Sequence, residues 1–147
     1  INDPRDAVTI FENKIAEYAG SKYAVAVDSC TNSIFLSLKY LKATEQITFP
    51  SRTYVSAPMA AILAGCDIKF VDYEWSGTYR LDPYPIVDSA VRFTKGMYEK
   101  LTVGSGRHFL KGAILSLLTT KTSLNSSDTI CIWRRKMLLE AFYFLSN

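Results

Sequence analysis

The stretch Tyr23–Leu38, YAVAVDSCTNSIFLSL, decides the fold. Tyr23–Val27 is an apolar run with strand character, and Ile34, Phe35, Leu38 and Leu41 recur at the spacing of one helix face. Between them stand Asp28, Ser29, Cys30, Thr31 and Asn32, too few residues for an ordinary loop. A strand that passes straight into a helix leaves the first backbone N–H groups of that helix unpaired at the strand's carboxyl end. Small polar residues there serve one of two purposes. They cap the helix, since Ser, Thr and Asn are preferred caps, or they cradle a phosphate at the positive end of the helix dipole. The stretch alone leaves both readings open.

Upstream, Asp3-Pro4 reads as a helix cap followed by proline in the first turn, with Val8, Phe11, Ile15 and Tyr18 as an apolar stripe and Gly20 as the stop. Downstream, QITFP is a short strand ended by Pro50, and a helix is expected from about Tyr54 to Leu63, closed by Gly65. DIKFVD and YPIVD are strands, and YEWSGTYRLDP between them has the Gly, Pro and Asp of a connecting loop. This alternation predicts an α/β fold, a mainly parallel sheet with helices on both faces, in which ligands bind at the carboxyl ends of the strands. Beyond Tyr98 the pattern weakens to one strand near Ala113–Leu118, a Ser/Thr-rich connection, and a helix capped by Asp128 over 129–145. The expected organisation is thus 1–100 as the N-terminal part of one large domain and 101–147 as its divergent tail.

A 147-residue chain with 48% hydrophobic and 21% charged residues has the composition of a soluble globular protein. ICIWRRKMLLEAFYFL is interrupted by Arg134, Arg135, Lys136 and Glu140, so no membrane span is expected. The start, INDPRDAV, lacks both an initiator Met and a secretory pattern, which suggests a fragment or a processed product. Cys30, Cys66 and Cys131 form no Cys-x-x-Cys pair, pointing to a reducing cytoplasm without a disulfide framework or zinc site. Residues 1–100 carry 12 acidic and 11 basic side chains and residues 101–147 carry 2 and 6. The Arg134–Lys136 cluster is read as a solvated helix face, not a nucleic-acid contact. His108 is the sole histidine, so neither a metal cluster nor a Gly-x-Ser-x-Gly hydrolase is supported, and no Gly-x-Gly-x-x-Gly follows the first strand.

Three motifs appear together: YAVAVDSCTNSIFLSLKYL, TFPSRTYVSAPMAAILAGCDIKFVD and YPIVDSAVRF. Their order and spacing resemble the DegT/DnrJ-type sugar aminotransferases, pyridoxal-phosphate enzymes of fold type I, over roughly residues 10–98. The resemblance implies the first part of a large cofactor-binding domain. It implies that Cys30, Thr31 and Asn32 hold the cofactor phosphate, that Tyr54 stacks on the pyridine ring, that Asp88 pairs with the ring nitrogen, and that Ala90 lets the ring lie close. A core tyrosine and a helix-capping aspartate are the alternatives for Tyr54 and Asp88. GRHFLKG keeps the His-x-x-Lys spacing of the family's Ser-Phe-His-x-x-Lys segment, which makes Lys111 the candidate catalytic lysine and His108 a cofactor contact, with Gly106 and Arg107 replacing Ser and Phe. Ser105 is a substitute phosphate hydroxyl if the segment has slipped.

The chain departs from the family further on. Val91 stands where Gln or His is usual, and no Gly-Gly segment follows Lys111. A divergent tail, a premature stop or a shifted reading frame each gives this pattern. The implied function is an aminotransferase using pyridoxal 5'-phosphate on a nucleotide-linked keto sugar, with glutamate as donor and a homodimer as the assembly, without nucleic acid or membrane. The alternatives are a non-catalytic remnant of such an enzyme and a doubly wound domain that binds another phosphorylated ligand.

Overall fold

A computed structural model describes residues 4–105, 116–120 and 132–133. Helix α1, Pro4–Ala19, ends where Gly20 takes a left-handed backbone (φ 79°) and both Gly20 and Ser21 return their N–H groups to the Ala16 carbonyl. Strand β1, Tyr23–Val27, leads after two residues into α2, Cys30–Tyr40. Then come β2, Ile47–Pro50; α3, Ser56–Ala64; β3, Ile68–Val71; β4, Tyr79–Arg80; β5, Ile86–Asp88; β6, Leu101–Ser105; β7, Ser116–Thr120; and β8, Ile132–Trp133.

Six strands form one sheet in the order β4-β5-β6-β7-β1-β8. β5 is parallel to β6 and β8 to β1, whereas β7 runs antiparallel to both β6 and β1, and β4 antiparallel to β5. It follows that β1, β5, β6 and β8 all point one way. The expected α/β fold with parallel strands is therefore present, four of the six strands sharing one direction although three of the five neighbouring pairs are antiparallel, and the carboxyl ends of β1 and β5 lie at the same end of the sheet. β2 and β3 pair in parallel as a separate ribbon, joined to the chain before β5 by the Thr48 N–H to the Asp82 carbonyl at 2.9 Å.

The core explains why the helices sit where they do. Ile34 and Leu38 of α2, Phe11 and Ile15 of α1, and Ile47 and Phe49 of β2 are buried together with Leu81, Ile86 and Val103. Each such side chain contributes about 1.5–3 kcal/mol on burial. α2 also buries Ser33 and Ser37, whose hydroxyls donate to the carbonyls of Ser29 and Ser33 and so leave no polar atom stranded. α3 turns Ala57, Ala60, Ala61 and Ala64 inward against α2, and Lys39 of α2 donates to the Ala64 carbonyl at 3.0 Å.

Several expectations change. Tyr18 is exposed, its ring stacked on Phe93 at 4.9 Å instead of joining the core stripe. α3 begins at Ser56, two residues after the expected start near Tyr54, and Trp75 Nε1 donates to the Arg52 carbonyl of the preceding turn at 2.9 Å. The segment read wholly as a loop contains β4, and LTVGS forms β6, a strand that the sequence pattern did not mark. β7 overlaps the strand expected near Ala113–Leu118 at Ser116–Leu118. Within the helix expected over 129–145, Ile132–Trp133 pair as a strand with β1, and the other residues of that span lie outside the described residues.

Candidate functional site

The β1–α2 junction is a built cap. Ser29 holds an extended backbone (φ −158°, ψ 154°) and its Oγ accepts the Asn32 N–H at 3.1 Å. Its hydroxyl also lies 3.4 Å from Asp28 Oδ1, and the Asn32 side-chain amide donates to the same oxygen. Cys30, Thr31 and Asn32 are partly exposed around the first turn of α2. One of Asn32's two amide hydrogens is thus directed at Asp28 and the Asn32 and Ser33 backbone N–H groups at Ser29, leaving the other amide hydrogen and the backbone N–H groups of Cys30 and Thr31 for any anion.

Asp88 ends β5 and is 6% exposed. Its Oδ2 accepts the Tyr79 hydroxyl at 2.6 Å and its Oδ1 the Ala90 N–H at 2.9 Å. Burial raises the Asp88 carboxyl above its ordinary value, while these two donors draw it back down. Burial, with Asp88 nearby, holds the Cys30 thiol well above its usual range, so it stays protonated. The electrostatic interaction of Cys30 with Asp88 links the turn at the end of β1 to the end of β5.

Tyr54 is 73% exposed just before α3, outside the core of the described residues. Its neighbour Thr53 hydrogen-bonds the Tyr79 hydroxyl through Oγ1 at 2.7 Å. Ala90 is partly exposed beside Asp88, and Val91 is exposed. Ser105 ends β6 and is buried. His108 and Lys111 lie outside the described residues. The structure therefore gathers Asp88 and, through Thr53, the segment of Tyr54 around one hydroxyl, that of Tyr79. Sequence reasoning missed Tyr79 and Thr53, because the only signal for Tyr79 is its cross-strand pairing with Asp88. Among the described residues no group of three or more His, Cys, Asp or Glu could hold a metal, and no helix is long and apolar enough to cross a membrane.

Solved structures share this α/β fold. The chain superposes on an aminotransferase from Psychrobacter cryohalolentis with TM-score 0.67 at 13% identity, covering 96% of this chain and 56% of that one. On 8-amino-7-oxononanoate synthase from Francisella tularensis the TM-score is 0.66 at 12% identity, covering 97% and 58%. The fold is that of the fold-type-I aminotransferases. A model of the DegT/DnrJ/EryC1/StrS aminotransferase family matches residues 5–99, and the chain belongs to that family. It is 34% identical over 90 residues to the spore coat polysaccharide biosynthesis protein SpsC of Bacillus subtilis, covering 59% of this chain and 23% of SpsC. It is 31% identical over 71 residues to a UDP-4-amino-4,6-dideoxy-N-acetyl-beta-L-altrosamine transaminase of Campylobacter jejuni, covering 48% and 19%. The chain thus spans about a fifth of the length of these curated relatives.

Proposed function

We propose that the chain carries the phosphate- and ring-binding part of a pyridoxal 5'-phosphate-dependent aminotransferase acting on a nucleotide-linked keto sugar, with glutamate as amino donor and a homodimer as the assembly. The observation that supports the reading is Asp88, a buried carboxylate at the carboxyl end of β5, which lies at the same end of the sheet as the carboxyl end of β1 where α2 starts. The residues present fit such a cofactor. The start of α2 offers backbone donors and the Thr31 hydroxyl to a phosphate, the Tyr54 ring is free to cover a planar group, and Asp88 keeps lone pairs beyond the two already used.

When bound, the cofactor supplies an electron sink for the substrate carbon being deprotonated. In this reading Cys30, Thr31 and Asn32 would hold its phosphate, Tyr54 would cover the ring, Asp88 would pair with the ring nitrogen and favour its protonated form, and Ala90 would leave room for it. Lys111 would be the covalent anchor and proton carrier, and His108 a further cofactor contact. The sugar class is supported by the Campylobacter relative's name, and the cofactor by the family.

Addition of pyridoxal 5'-phosphate to the purified protein is expected to give a yellow absorbance, and borohydride to fix the adduct on Lys111. An identical spectrum from Lys111→Ala, with nothing trapped, overturns the assignment. A second reading, a domain that binds a phosphorylated ligand without amino transfer, is favoured by the low exposure of Asp88 and the engagement of both its oxygens. Tighter binding of a nucleotide than of pyridoxal 5'-phosphate, with no transamination, selects that reading.

A further inference from the structure

Tyr79 and Asp88 face each other directly across the β4–β5 pair. The Tyr79 oxygen lies 2.6 Å from Asp88 Oδ2 and 2.7 Å from Thr53 Oγ1. The Tyr79 hydroxyl donates to Asp88 Oδ2 and has a single proton, so the Thr53 hydroxyl is the donor to the tyrosine oxygen. The hydrogen bonds therefore run one way, from Thr53 through Tyr79 to Asp88. The Tyr79 ring is fixed by edge contacts with Trp75 at 4.9 Å and Phe49 at 6.5 Å, and Trp75 Nε1 donates to the Arg52 carbonyl at 2.9 Å. Arg52 and Thr53 immediately precede Tyr54, so Trp75 and Tyr79 together tie the segment of Tyr54 to the strand that ends in Asp88.

We propose that Tyr79 is a positioning residue whose hydroxyl, oriented by Thr53, holds Asp88 as an anion in one rotamer at a fixed offset from Tyr54. This rests on the reading of Asp88 as the partner of a protonated ring nitrogen and deepens it. Burial drives a carboxyl toward its neutral form, which cannot pair with a pyridinium, and a donor aimed at the carboxylate opposes that drive. The Tyr79 hydroxyl of β4 lies against Asp88 and the Cys30 thiol of α2 interacts with it electrostatically, and burial and Asp88 itself hold both protonated. Asp88 is the member of this cluster left to carry the charge.

The test is a carboxyl-carbon NMR titration of Asp88 in the ligand-free full chain, in the natural sequence, Tyr79→Phe and Thr53→Val. Tyr79→Phe is expected to raise the Asp88 midpoint by about one pH unit, a tenfold gain in proton affinity, and Thr53→Val by less in the same direction. An Asp88 midpoint unmoved in both variants overturns the proposal. Should Tyr79→Phe not fold, Thr53→Val, which keeps the ring and its bond to Asp88, decides alone. A parallel titration with pyridoxal 5'-phosphate is expected to show weaker binding by Tyr79→Phe, with a pH dependence displaced in step with Asp88. Failure of the natural chain to bind pyridoxal 5'-phosphate counts against the proposed function, while the Asp88 titration still decides the role of Tyr79.

Discussion

The Ala26 amide in β1 donates to the Glu12 carboxylate of α1, with Oε1 at 2.9 Å, so a helix side chain satisfies a backbone donor of the sheet. Glu12→Ala strands that amide and is expected to lower stability by about 1–3 kcal/mol in urea unfolding, with Glu12→Gln costing less because an acceptor remains. Burial raises the Glu12 carboxyl above its ordinary 4.5, with the Ala26 amide drawing it partly back. The native chain therefore takes up this proton at a higher pH than the unfolded chain. The contribution is full below pH 4.5 and lost as pH rises through the raised value. Glu12→Gln is expected to flatten that slope, and an unchanged slope counts against the assignment.

Gly65 closes α3 in the left-handed region, φ 97°, with its N–H shared between the Ala61 and Ile62 carbonyls. A Cβ there meets nothing within 4 Å, so any cost of a side chain is conformational and not steric crowding by neighbours. Gly65→Ala is expected to lower the unfolding free energy by about 1 kcal/mol, and Gly65→Asn by less, because asparagine tolerates this backbone better. Equal losses for the two variants would show that something other than backbone conformation sets the cost.

Asp28 occupies the start of α2 and draws both the Asn32 amide and the Ser29 hydroxyl toward itself. An aspartate there complements the helix dipole, yet it repels a phosphate approaching the same turn. Asp28→Asn removes about 1 kcal/mol of repulsion at contact distance in water, so pyridoxal 5'-phosphate is expected to bind roughly fivefold tighter, at a cost of about 0.3–1 kcal/mol in stability. The gain should shrink as salt is added. Absorbance titrations at two ionic strengths measure it, and unchanged affinity argues against a phosphate at this turn.

What was legible in the sequence was local. The stop of α1 at Gly20, the junction at Asp28–Asn32 and the close of α3 at Gly65 are each written in a cap residue or an apolar period. β4 was not legible, because Tyr79 and Arg80 become a strand only by pairing with Val87 and Asp88. β6 mixes Thr102, Gly104 and Ser105 with Leu101 and Val103, and all five residues are buried between β5 and β7, so no alternation survives to mark a strand. The same distinction runs through the site. Asp88 was visible as the polar end of an apolar run, whereas the part played by Tyr79 and Thr53 depends on contacts between residues 9 and 26 positions apart.

Tyr54 separates the stacking reading from a structural one without ambiguity of folding. Its ring is 73% exposed and it precedes α3 instead of packing beneath it, so Tyr54→Ala is expected to change unfolding free energy by no more than about 0.5 kcal/mol. A ring that covers the cofactor contributes through its π face, and its loss is expected to weaken pyridoxal 5'-phosphate binding about tenfold. Tyr54→Phe keeps that face and should bind within about twofold of the natural chain, since the hydroxyl is not what stacks. A Tyr54→Ala protein that binds as tightly as the natural chain would remove the aromatic from the site and leave α2 and Asp88 to hold the ligand unaided.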